Sequence, residues 1–90
     1  MIKKKLLIIS GKVQGVGFRY WMQNLAINNN ISGWVKNRSL GDVEALIIGQ
    51  EKEVQKVIKQ CKIGPSSATI QKIHINDYNQ NYSEKGFNIF

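Results

Sequence analysis

Between residues 11 and 19 the chain reads GKVQGVGFR, and the period of its apolar residues changes across that stretch. Before it, Lys5 to Gly11 is a short apolar run closed by glycine, which predicts a buried strand. After it, Phe18, Met22, Leu25 and Ala26 recur at the spacing that lays one apolar stripe along a helix, over Phe18 to about Asn28. A strand that turns through glycines into an amphipathic helix needs a sheet for the helix to pack on.

Asn28 to Asn30 are poor helix formers and mark the end of the first helix. Ile31 to Lys36, with Trp34 and Val35, suits a second strand, and Asn37 to Asp42 (NRSLGD) a turn. Val43, Ala45 and Ile47 alternate with Glu44, Leu46 and Ile48, which predicts a largely buried strand ended by Gly49. Val54, Val57, Ile58 and Cys61 then follow the i, i+3, i+4, i+7 pattern of a second amphipathic helix. After GPSS, Ala68 and Ile70 fall on one phase of a strand, while Ile73 and Ile75 fall on the other. A bulge or bend near Gln71 would reconcile them. A polar loop, NDYNQNYSEK, precedes a short closing strand over Phe87 to Phe90.

The order β-α-β-β-α-β with an added strand is the split βαβ pattern. The expected fold is α+β: a ferredoxin-like sandwich in one domain over residues 1–90. Its antiparallel sheet carries two helices on one face and a short extra C-terminal strand. Right-handed crossovers place the first and third strands at the centre. The first and second strands then run the same way, so their carboxyl ends share one edge of the sheet. The glycine loop follows the first and Asn37 follows the second, which predicts that the two are neighbours.

Ninety residues at 42% hydrophobic allow a small core. Thirteen Lys and Arg against six Asp and Glu leave a charge of +7, which favours anionic partners without choosing among nucleic acid, membrane surface and phosphorylated small molecules. One cysteine, Cys61, and one histidine, His74, exclude an internal disulfide and a tetrahedral zinc site. The opening MIKKKLLIIS imitates a signal peptide. Its apolar run, Leu6 to Ile9, is shorter than the roughly 7–15 residues that an h-region requires, so it reads as a strand. A soluble, cytoplasmic protein without a membrane partner is expected.

A loop entering a helix N-terminus exposes N–H groups that lack intrahelical partners. Glycines let those groups converge, and the helix dipole adds positive charge. Together they form an anion site, with phosphate the usual guest. Arg19 supplies a planar fork for phosphoryl oxygens. The bland alternative carries about equal weight for a bare glycine loop: Gly11, Gly15 and Gly17 only permit a tight connection, and Arg19 is a solvated helix residue. Neither a dinucleotide fingerprint nor a P-loop is present.

GKVQGVGFRYW together with GWVKNRSLGDVEA resembles the acylphosphatase family. The likeness extends over most of the chain and includes GPSSAT after the second helix. The chain departs from the family pattern at Leu40, where a polar turn residue is usual, and in its ending FNIF. The resemblance implies metal-independent hydrolysis of small acyl phosphates, with no cofactor. It places the phosphate on the loop Gln14, Gly15, Val16, Gly17 and Phe18, the phosphoryl oxygens on Arg19, and the attacking water on Asn37. Arg19 and Asn37 are thus the catalytic pair it implies. Inorganic phosphate or sulfate would compete for the site, and a monomer is expected.

Such a residue set suffices chemically. The leaving carboxylate belongs to an acid with a pKa of about 4, so it departs without a general acid. Phosphoryl transfer is mostly positioning and electrostatics. Two other functions compete. A basic ferredoxin-like sheet is also the RNA-recognition architecture, but that module needs aromatics on its central strands, and KLLIIS and DVEALIIG have none. A non-catalytic anion-binding domain of the same fold is the third reading.

Several conspicuous residues have plainer roles. Out of context Asn37 is a turn residue. Cys61 reads as a buried small hydrophobe, His74 as a surface or edge residue, and Trp21 and Trp34 as packing around the first helix and second strand. Lys3 to Lys5 read as a solvated terminus. Asp42 falls in the turn and Glu44 in the strand after it, and the two are not read as a carboxylate pair.

Overall fold

The computed structural model describes all 90 residues. The elements are β1 (Ile2–Lys12), α1 (Phe18–Asn28), β2 (Ser32–Asn37), β3 (Val43–Gln50), α2 (Glu51–Cys61), β4 (Thr69–Asp77) and β5 (Phe87–Ile89). They form one five-stranded sheet in the order β4-β1-β3-β2-β5. The first four strands are antiparallel to their neighbours, and β5 adds in parallel to β2. This is the expected ferredoxin-like arrangement, with β1 and β3 inside.

Alternation decides which side chains meet the helices. Leu7 and Ile9 of β1, Val35 of β2, and Val43, Ala45 and Ile47 of β3 lie in the buried core. Phe18, Met22 and Ala26 reach them from α1, and Val54, Val57 and Cys61 from α2. Helix α1 lies over β2 and β5, α2 over β1 and β3, and the helices touch each other. Burial of these side chains, at about 1.5–3 kcal/mol for each of the larger aliphatic and aromatic ones, is the main force holding helices to sheet.

The first helix stops for a definable reason. Asn30 adopts the left-handed conformation, φ 57°. The Ile31 amide reaches back to the Ala26 carbonyl at 2.9 Å and the Asn30 amide to the Ile27 carbonyl at 3.2 Å. That is the Schellman pattern, with asparagine in place of the usual glycine. Ile31 and Ala26 are both buried in the core, supplying the apolar contact that accompanies it.

The conflicting phases of β4 are resolved at the expected place. Ser10 of β1 faces Lys72 and Gly11 faces Ile70, so Gln71 is the extra residue of a bulge. Ile70, Ile73 and Ile75 thereby share the helix-facing side with Leu7 and Ile9.

Three expectations are corrected. Lys3 to Lys5 are not a loose terminus: they are strand residues paired with Gly49, Ile48 and Ile47, because β3 runs alongside β1 through them. Asn37 is the last residue of β2 rather than the first of a turn. Trp34 lies opposite Leu46, on the sheet face away from the helices, with Phe90 beside it (ring centroids 6.2 Å apart) and Lys36 over its ring at 5.2 Å. Trp21 does pack against the core next to Phe18. No helix is long and apolar enough to cross a membrane.

Candidate active site

Ile9 of β1 and Asn37 of β2 both lie opposite Val43 of β3, so β1 and β2 finish at the same edge of the sheet. Asn37 shares the phase of Val35 and therefore faces the side where α1 begins. The glycine loop leaves β1 there and delivers the N-terminus of α1 to the same place. Between them lies a concavity of about 190 Å³, lined by Val13, Gly15, Gly17, Phe18, Arg19, Tyr20 and Asn37. The juxtaposition expected from crossover handedness is present: Arg19 and Asn37 line one cavity.

Gly15 (φ 73°) and Gly17 (φ 76°) are both left-handed, and Gly17 is the N-cap of α1 with no side chain capping it. A Cβ at either would meet no atom within 4 Å, so backbone conformation, not crowding, demands glycine there. The first bond of the helix runs from the Trp21 amide to the Gly17 carbonyl at 3.1 Å. None of the hydrogen bonds of the fold is donated by a main-chain N–H between Gln14 and Tyr20. Unpaired amides at a helix N-terminus are the groups that receive an oxyanion.

Two other loop residues turn away from the cavity. The Val16 side chain packs against the core. Gln14 directs its carboxamide at the β2–β3 turn, donating to the Arg38 carbonyl at 2.7 Å and the Asp42 carbonyl at 2.9 Å. Ser67 Oγ donates to the Val16 carbonyl at 2.8 Å and anchors the loop from the segment before β4. Sequence reasoning gave Gln14 only a backbone role and Ser67 none. The GPSS turn was the one available signal for Ser67.

Arg19 Nη1 donates to the main-chain oxygen of Phe90 at 3.0 Å, and Arg19 lines the cavity. Acidic side chains nearby are already paired: Arg38 Nε lies 3.0 Å from Asp42 Oδ1, and Lys36 Nζ lies 3.5 Å from Glu44 Oε1. Neither carboxylate lines the cavity. Nowhere do three or more His, Cys, Asp or Glu side chains gather in a way that could hold a metal. Cys61 is fully buried in the core, and burial pushes its thiol pKa up to about 12. His74 sits exposed on the edge strand β4.

The acylphosphatase family model matches residues 5–89. The chain belongs to the acylphosphatase family. The acylphosphatase of Acidiphilium cryptum (strain JF-5) is 41% identical over 83 residues, which cover 92% of this chain and 90% of that one. The crystal structure of acylphosphatase from Bacillus subtilis superposes with a TM-score of 0.92 at 34% identity, covering 100% of this chain and 99% of the other. Full-length HypF, in a phosphate- and nucleotide-bound form, contains a similar unit: TM-score 0.86 and 29% identity over all of this chain but 12% of that protein. Family and fold together assign the chain to hydrolysis of acyl phosphates.

Proposed function

We propose that the loop amides, Arg19 and Asn37 carry out metal-independent hydrolysis of small acyl phosphates in the cavity between β1, α1 and β2. The observation that supports this best is the run of undonated main-chain N–H groups from Gln14 to Tyr20, lying beside a guanidinium and a carboxamide.

The phosphoryl group rests on the amides of the loop and first helical turn, and the Arg19 fork binds its oxygens. These donors hold the charge in place through a loose transition state, with no reorganisation needed as it forms. Asn37 accepts a hydrogen bond from water through its amide oxygen and aims that water at phosphorus, opposite the leaving oxygen. The bond from phosphorus to the acyl oxygen breaks as the bond to water forms, and the carboxylate leaves without needing a proton. Asn37 is not a base, so the water's proton passes to a phosphoryl oxygen. A cavity of about 190 Å³ lies below the roughly 300 Å³ at which drug-sized sites begin, so it holds the phosphoryl end and little more. The acyl group extends past Tyr20, a residue 71% exposed, towards solvent. Several small acyl groups should therefore serve, and inorganic phosphate or sulfate should compete.

The test is release of inorganic phosphate from benzoyl phosphate with excess chelator present. Turnover is expected. Activity that appears only after magnesium is added would contradict the mechanism, and phosphate binding without turnover would favour the non-catalytic anion domain instead.

A further inference from the structure

The cradle and Asn37 must keep a fixed separation if a water is to bridge them, yet the sheet does not join them directly. β3 lies between β1 and β2, and no ladder hydrogen bond connects β1 to β2. Past the end of β3, one side chain makes the link. Gln14 Nε2 spends both its hydrogens on carbonyls of the turn that begins immediately after Asn37, Arg38 at 2.7 Å and Asp42 at 2.9 Å. The same two carbonyls close that turn, accepting from the Gly41 amide at 3.2 Å and the Arg38 amide at 2.9 Å respectively. Two carbonyl acceptors require a donor with two N–H bonds on one atom. Glutamate and methionine of similar length offer none when glutamate is ionised, and asparagine is one methylene short.

We infer that Gln14 is a positioning residue: its carboxamide staples the phosphate loop to the β2–β3 turn, and so sets where Asn37 places the attacking water relative to the phosphoryl group. The inference rests on the active-site reading above. Phosphate itself touches the loop amides and Arg19, so loosening the staple should disturb the water's aim more than the anion's affinity. A misplacement of about 1 Å is enough to cost up to a hundredfold in rate.

The experiment measures kcat, KM and the inhibition constant of inorganic phosphate with benzoyl phosphate as substrate, for wild type, Gln14→Met, Asn37→Ala and the double variant. Gln14→Met is expected to lower kcat about tenfold while the phosphate inhibition constant moves by less than about threefold. In the Asn37→Ala background it should lower kcat no further, because the group it positions is gone. Undiminished kcat, loss of phosphate affinity in step with kcat, or independent effects that multiply in the double variant would each overturn the proposal. If Gln14→Met does not fold, Gln14→Glu keeps the side chain's shape and replaces it in the same cycle. Failure of both to fold would make the staple a matter of stability and refute the positioning role. A wild type without turnover would defeat the active-site reading itself, whereas an active wild type with full-speed Gln14 variants would defeat only this inference.

Discussion

Arg19→Gln tests the site most directly, because the structure bounds what it should cost. Arginine has five N–H donors, and one Nη1 bond is committed to the main-chain oxygen of Phe90. A parallel pair remains for the phosphoryl oxygens. Two charge-assisted hydrogen bonds at about 1.5–3 kcal/mol each amount to about 3–6 kcal/mol. At 1.4 kcal/mol per decade, that is a loss of about 10²–10⁴ in kcat/KM. Stability should barely change. The side chain lies at the surface, and the Phe90 main-chain oxygen can turn to water, so the cost to the fold is below about 1 kcal/mol. The assay is continuous hydrolysis of benzoyl phosphate with chelator, paired with inhibition by inorganic phosphate and a denaturant melt. Phosphate affinity and turnover should fall together while the melt stays in place. A folded Arg19→Gln protein within tenfold of wild-type kcat/KM would refute the assignment of the phosphoryl charge to this guanidinium.

Asn37→Ala should lower kcat by about 10²-fold and leave phosphate inhibition nearly unchanged, which steady-state kinetics with added phosphate will show; equal losses in both would move Asn37 into the cradle. Gly17→Ala puts a Cβ on a residue at φ 76°, and should cost about 1–2 kcal/mol in a denaturant titration, with a weaker phosphate inhibition constant as the loop shifts. Cys61, with its thiol pushed from 9.0 up to about 12 by burial, should react with an alkylating probe at pH 8 about a thousandfold more slowly than an exposed thiol on ionisation alone, and at normal speed once denaturant unfolds the chain. The sign of the linked stability follows. The unfolded thiol gives up its proton first, so the contribution from a neutral Cys61 is complete below about pH 9 and drains away as pH rises towards 12; denaturant midpoints of wild type and Cys61→Ala should converge over that range.

Much of the fold was legible because burial is periodic. The bulge at Gln71 is the clearest instance: Ile70 and Ile73 cannot share a face of a regular strand, so a bulge or a bend between them was required, and the ladder shows the bulge. The parts that escaped lack such a signal. Lysines 3 to 5 look solvated, but the ladder to β3 extends through them whatever their side chains prefer. Trp34 stands where either face could take an aromatic, and the choice went to the open face, where Phe90 and Lys36 meet it. Which edge of the sheet β5 would join is likewise set by packing against α1 and by no pattern within FNIF.

The candidate site divides along the same line. Loop and asparagine could be brought together on paper because crossover handedness and strand direction constrain where chain segments end, irrespective of side-chain identity. What stiffens the site follows a different rule. Gln14 and Ser67 both donate to main-chain carbonyls, at Arg38, Asp42 and Val16. Every residue has a carbonyl, so no residue type at the receiving end betrays the contact in advance. Only the donor is chosen by evolution, and a lone glutamine between glycines reads as a loop residue until coordinates show where it reaches. The visible chemistry of such a site therefore lies in its charged and amide groups, while its precision rests on side chains whose partners are anonymous backbone. This is why the double variant of Gln14 and Asn37 is more informative than either change alone: it asks whether a contact unseen in the sequence acts through the residue that could be seen.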